Sequence, residues 1–212
     1  MQLELPLDEL KKLIAKQLDN FFIFDRSREQ APLNSGIETA LIKCKTCFAA
    51  TSNKYYQRNG LPYFNPFHSG QYCIFLYFLS RAVFTAHPEI RSLADRIYYL
   101  NKALNGLDLF YEVEMPDVFF LDHPVGSVLG RATYGMNFSF SQNCTVGNNK
   151  GIFPTIGKNV QMLSGSKILG RCKIGDNVIV SANTYIKDAD IPANSMVFGT
   201  SPALIVKPIA EV

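Results

Sequence analysis

The chain lacks any run of five or more basic residues, and its 21 basic and 18 acidic side chains nearly cancel. A nucleic-acid surface needs clustered cations, so no nucleic-acid partner is expected. Charge is sparse: 18% of residues are charged and 47% are hydrophobic, the balance of a core-forming chain and not a disordered one. Long apolar runs are also missing. The most apolar stretch, Tyr72 to Phe84, is broken by Arg81 and is short for a bilayer span, so it reads as a buried aromatic-rich helix. The opening residues, MQLELPLDELKK, do not follow the basic-then-apolar order of a secretion signal. The five cysteines, Cys44, Cys47, Cys73, Cys144 and Cys172, are an odd number, which points to reduced thiols and a cytoplasmic location. Cys44 and Cys47 form a C-x-x-C pair with no second knuckle to complete a four-ligand zinc site. They read as two small apolar residues on one helix face, and no metal is expected.

What the chain does contain divides it in two, a helical domain over residues 1–106 and a second domain over 107–212. In the first, Leu7, Leu10, Leu13, Ile14 and Leu18 form a helical stripe within Pro6–Phe22. Further helices are expected over Ile37–Tyr56, over His68–His87 ahead of Pro88, and over Glu89–Leu104, stopped by Asn105-Gly106. Gln57 to Phe67 carries turn residues and reads as a loop.

The second domain has a period of six. Val128, Tyr134, Phe140 and Val146 are followed, after one interruption, by Ile156, Met162, Ile168, Ile174, Val180 and Ile186. Small or β-branched residues recur four positions later, at Val160, Ser166, Cys172, Val178 and Thr184. Six residues rotate a helical stripe off its face, so this is not a helix. The pattern fits a β-solenoid, with three hexapeptides per triangular coil and coils stacked at roughly 4.8 Å. Repeat residues point into the prism, and Gly, Asn and Asp take the corners. On residues alone, His123 in FFLDHPVGSVLGRATYG is either a turn histidine or a base.

Four stretches resemble the hexapeptide-repeat acyltransferases, and the serine acetyltransferases in particular. They are DLFYEVEMPDVFFLDHPVGSVLG (108–130), SKILGRCKIGDNVIVSANTYI (166–186), GTSPALIVKP (199–208) and NPFHSGQY (65–72). The resemblance implies an α+β architecture, with helices followed by a left-handed parallel β-helix. It further implies a homotrimer with clefts between neighbouring chains and acetyl-CoA as co-substrate. His123 would be the general base that removes the acceptor hydroxyl's proton, supported by Asp108 fifteen residues earlier. A hydroxyl attacks a thioester poorly without such a base, and a carboxylate on the ring fixes its tautomer. Asp122 matches a family carboxylate that meets the substrate amine, or else caps a turn. On the donor side Gly165, Ser166, Lys167 and Ala182 match positions along the pantetheine arm, or are ordinary corners. Lys207 matches a lysine near the CoA phosphates.

The departures bear on the acceptor. The interruption VGNNKGIFPTIG, 146–157, is about four residues shorter by alignment than the family's loop. It places Ile152 and Phe153 where serine acetyltransferases carry an Arg-His pair. Leu204 stands where the family often has Arg. A buried carboxylate needs a cationic partner, and only Lys150 is near in sequence. The sequence therefore favours an O-acetyltransferase acting on a small-molecule acceptor, a sugar hydroxyl of a surface polysaccharide or its precursor, stacked on Phe153. The alternatives are a serine O-acetyltransferase and a non-catalytic scaffold.

Overall fold

The computed structural model describes residues 1–51 and 53–209. The chain separates into two compact units, Met1–Asn105 and Gly106–Val212. The last three residues, within the expected second domain, lie outside the described residues, as does Ser52.

The first unit is helical with a small sheet. It comprises β1 (Gln2–Leu3), α1 (Leu7–Phe21), α2 (Arg26–Ala49), β2 (Gln57–Arg58), β3 (Leu61–Phe64), α3 (Ser69–Ala86) and α4 (Arg91–Asn105). In α1 the buried side is Leu10, Ile14, Ala15 and Leu18. Helix α2 begins eleven residues before the expected Ile37 and stops at Ala49, well short of Tyr56. Its start is an Asp25 N-cap that accepts from Ser27 N, with Glu29 accepting from Asp25 N in return. Pro32 obscured this start, because proline usually breaks a helix interior. Gly36 lets α2 approach α3, since a Cβ there would lie 2.7 Å from Val83 Cγ2. Cys44 and Cys47 are buried free thiols on α2, and burial pushes the Cys44 thiol well up. The expected loop at Gln57–Phe67 contains a hairpin: β2 pairs antiparallel with β3 around Asn59 and Gly60, at φ 53° and 73°. Asn-Gly with both φ values positive is the two-residue turn that matches strand twist. No described helix is long and apolar enough to cross a membrane.

The second unit is a parallel β-solenoid. Its strands are β4 (Asp108–Leu109), β5 (Phe119–Leu121), β6 (Val128–Leu129), β7 (Thr133–Tyr134), β8 (Phe138–Phe140), β9 (Thr145–Gly147) and β10 (Thr155–Ile156). They continue with β11 (Gln161–Met162), β12 (Lys167–Leu169), β13 (Lys173–Ile174), β14 (Ile179–Val180), β15 (Tyr185–Lys187), β16 (Ser195–Thr200) and β17 (Ala203–Pro208). Three faces result. One stacks β4, β6, β9, β12 and β15; the next stacks β7, β10 and β13; the third stacks β5, β8, β11, β14 and β16. All these pairings are parallel, and only β17 returns antiparallel on β16. This is the arrangement expected of a hexapeptide β-helix.

The register shows why the repeats read as they do. Ile156 pairs with Ile174, Met162 with Val180 and Ile168 with Ile186, each eighteen residues apart. Their side chains fill the prism at no more than 2% exposure, each worth about 1.5–3 kcal/mol of burial. One repeat residue is misplaced in the sequence reading. Val128 is exposed at 43%, and Leu129, at 1%, is the inward residue that stacks on Val146. Strand alternation decides this, since one step along a strand changes the face. The interruption is equally clear. Tyr134 pairs with Ile156 and Val146 with Ile168, twenty-two residues apart, so this coil carries four extra residues. They form a hairpin in which Asn149 and Ile152 exchange both backbone bonds at 3.0 Å, around Lys150 and Gly151 at φ 52° and 79°.

Asparagine holds one corner. Asn137, Asn159, Asn177 and Asn194 all have positive φ, and each amide donates to the next at 2.9, 2.8 and 2.7 Å. Asparagine tolerates this backbone region better than most residues, and the ladder uses the amides that it brings to the surface.

Candidate functional site

The corner joining the third face to the first carries the sequence-predicted base. In each coil it turns on one left-handed residue: Gly126, Asn143, Gly165 and Asn183, at φ 76°, 57°, 74° and 59°. Asn143, Gly165 and Asn183 lie three residues beyond the inward Phe140, Met162 and Val180. Gly126 lies five beyond Leu121, so the topmost corner is two residues longer and bulges outward. His123 occupies that bulge at φ 50°, with its side chain 82% exposed. The Asp122 carboxylate stands beside it, Oδ1 3.5 Å from Nε2.

The bulge is exposed but its backbone is tied at nearly every residue. Asp122 N donates to Phe140 O at 3.0 Å, Val125 N to His123 O at 2.8 Å, and Asn143 N to Val125 O at 3.0 Å. Gly126 N donates to Gly106 O at 2.9 Å, and Ser127 N to Pro124 O at 3.1 Å. A ring on such a frame is presented to solvent without being mobile at its root. Asp108 arrives on the strand above: it pairs with Val128, and its N–H donates to Ser127 O at 2.9 Å. Leu109 faces the prism, so Asp108 faces outward on the strand next to the bulge.

The residues expected on the donor side are spread over this corner and the strands beyond it. Gly165 and the exposed Ala182 lie on this corner, below His123. Gly165 is constrained from within as well, because a Cβ there would lie 2.4 Å from Asn183 Oδ1. Ser166 points inward at 0% exposure with its hydroxyl 3.6 Å from Cys144 Sγ, so its side chain is not presented at the surface. Lys167 projects outward and donates from Nζ to Gly165 O at 2.9 Å. Lys207 is on β17, its ammonium 5.9 Å from the Phe198 ring centroid. The pair expected on the acceptor side is elsewhere. Lys150 and Phe153 belong to the hairpin that follows β9, at the other end of the first face, so one chain does not bring them beside His123. That hairpin is anchored, since Asn149 Nδ2 donates to Asp188 Oδ2 at 2.5 Å.

The bacterial transferase hexapeptide (six repeats) family model matches residues 153–188, the stretch of regular eighteen-residue coils. That stretch of this chain is similar to the hexapeptide repeats of bacterial transferases. The chain is similar to the serine acetyltransferase of Staphylococcus epidermidis (strain RP62A), 35% identical over 119 residues. That match spans 54% of this chain and 55% of the relative, so the chain matches about half the length of that curated protein. Its fold is that of the serine acetyltransferase from Brucella abortus strain S19, with a TM-score of 0.70 at 17% identity, over 95% of this chain and 83% of the other. A serine acetyltransferase solved as a complex with CoA also shares the fold, with a TM-score of 0.62 at 16% identity, over 95% and 97% of the two chains. Two features of this corner carry no signal in the sequence: the two-residue lengthening under His123, and Ser127, which sits at the position of the buried Ser166 and Thr184 in lower coils.

Proposed function

We propose that this protein is an acetyl-CoA-dependent serine O-acetyltransferase. The observation that carries the reading is His123 held on a lengthened, hydrogen-bonded corner beside the Asp122 carboxylate, above a ridge of small corner residues. In this reading a neutral nitrogen of His123 takes the proton of the serine hydroxyl as its oxygen attacks the thioester carbonyl carbon. The C–O bond forms, the C–S bond breaks, and the imidazolium returns its proton to the departing CoA thiolate. Asp108 fixes the ring's tautomer, and Asp122 meets the serine ammonium. The pantetheine arm follows the ridge past Gly165, the Ser166 backbone, Lys167 and Ala182, with Lys207 toward the phosphates.

The sequence favoured a sugar acceptor because Ile152 and Phe153 offer a carboxylate nothing. The relatives support serine instead, since the curated matches are serine acetyltransferases. Within one chain the hairpin with Ile152 and Phe153 is at another corner from His123, and the same hairpin carries Lys150, a cation that a serine carboxylate can use. A second chain is needed to bring a hairpin to the site. We therefore propose a homotrimer, closed by cyclic symmetry, in which Lys150 and Phe153 of one chain face His123 of the next and Lys150 meets the serine carboxylate. Five free, buried cysteines suit the reducing cytoplasm proposed for it. Mass spectrometry of the product from acetyl-CoA and L-serine tests the reaction. O-acetylserine is expected; acetylated sugar from a mixed panel, with none from serine, would restore the sugar reading. Light scattering tests the assembly, with a mass about three times 23.7 kDa expected and a fully active monomer contradicting it.

A further inference from the structure

We propose that Ser127 is a positioning residue for His123, an inference that rests on reading His123 as the base. Three corners of this column close with a backbone bond across three residues. Ser127 N donates to Pro124 O, Ser166 N to Leu163 O and Thr184 N to Ser181 O, all at 3.1 Å. The coil directly beneath the bulge is different. There the Ser127 hydroxyl is inserted into the turn: Oγ donates to Ser141 O at 2.8 Å and accepts from Cys144 N at 3.1 Å. Ser127 is buried at 1% exposure, so the bridge lies inside the coil.

One residue thus ties three backbone segments together at this corner. Its carbonyl accepts from Asp108 N, its N–H holds Pro124 beside His123, and its side chain spans the turn below. The lengthened bulge has no counterpart in the coil under it, and its height is set by this hydroxyl bridge. Removing Oγ leaves Cys144 N without its acceptor, or lets the lower turn close directly and the bulge settle. Either way His123 moves relative to Asp108 and to the ridge, and a displacement near 1 Å at a catalytic group costs about a hundredfold in rate.

The test uses Ser127→Ala, Ser127→Thr and Thr184→Val in the full-length protein. Thr184 holds the equivalent buried position and donates Oγ1 to Val197 O at 3.3 Å, so threonine fits this site and Thr184→Val is a matched loss of one hydroxyl away from the bulge. Ser127→Ala should lower kcat by about ten- to a hundredfold with the KM for acetyl-CoA within about twofold of wild type. Ser127→Thr should recover most of that loss. Thr184→Val should lower Tm comparably while leaving kcat within about twofold. A Ser127→Ala protein whose Tm falls but whose kcat does not would overturn the proposal. If the unaltered protein transfers no acetyl group, the functional reading fails, and the positioning claim is still decided by NMR of the three histidines, His68, His87 and His123. Ser127→Ala should shift the His123 ring signals alone, and an unshifted His123 would overturn it.

Discussion

Gly126 sits over Asn143 so closely that a Cβ on the glycine would lie 2.2 Å from the asparagine Oδ1. The same relation recurs two coils down, between Gly165 and Asn183. Corners of this column alternate glycine over asparagine, and the topmost glycine closes the bulge that carries His123. The proposed base is therefore held from beneath by a packing rule of the solenoid.

Replacing the base separates chemistry from folding only if the backbone is respected. Asparagine tolerates φ near 50° better than alanine does, so His123→Asn should keep the corner. Its kcat should fall by roughly a hundredfold or more, with acetyl-CoA binding little changed. Calorimetric titration with acetyl-CoA and initial rates on the same sample check both; near-normal turnover would remove His123 from the mechanism.

The prism core should respond as close-packed interiors do. Ile168, at 0% exposure between Val146 and Ile186, should lose about 2–5 kcal/mol of unfolding free energy on replacement by alanine, read from urea denaturation. A loss near zero would mean that the coils do not stack through this column.

The asparagine ladder makes a separate prediction. Asn177 accepts from Asn159 and donates to Asn194. Asn177→Ala removes both bonds and leaves a β-carbon at φ 57°, and should cost about 2–3 kcal/mol; Asn177→Gly loses the bonds without the backbone strain and should cost less. The order of the two variants in chemical denaturation is the check.

Asp188 should set an acid limit on the second unit. Its carboxyl is held below the usual range, first by the Arg171 backbone N–H, then by the Asn149 amide and nearby cations, against an opposing desolvation. A depressed folded-state value gives stability that is present above the unfolded value of about 3.9 and lost as pH falls through the folded one. Asp188→Asn, which also accepts φ 49°, should therefore narrow its deficit against wild type below about pH 4. Parallel unfolding curves at pH 7 and pH 3 show this, and an equal deficit at both would refute it.

The solenoid was legible because its signal is repeated. Ile156 to Ile186 keep one frame, and each inward residue confirms the next. The frame failed at Val128, where a seventeen-residue coil and strand alternation leave a valine and a leucine adjacent and only packing selects Leu129. The start of α2 is hard to see in the sequence because Pro32 and Gly36 each look like breakers, whereas Gly36 answers to Val83 across the helix pair. The hairpin at Asn59-Gly60 carries its own signal, the Asn-Gly pair that favours a two-residue turn. At the site, His123 and Asp108 were found through resemblance. Ser127 could not be, since a lone serine among small residues acquires its meaning only from the turn into which its hydroxyl is inserted.

The central claim is that His123 serves a serine hydroxyl. Steady-state release of CoA, measured against L-serine and against a panel of sugars, with wild type and His123→Asn side by side, tests it most directly. The account predicts a specificity constant for serine at or above about 10⁴ M⁻¹s⁻¹, above that of every sugar, and lost in the variant. CoA release that a sugar supports better than serine, or that survives His123→Asn, would contradict it.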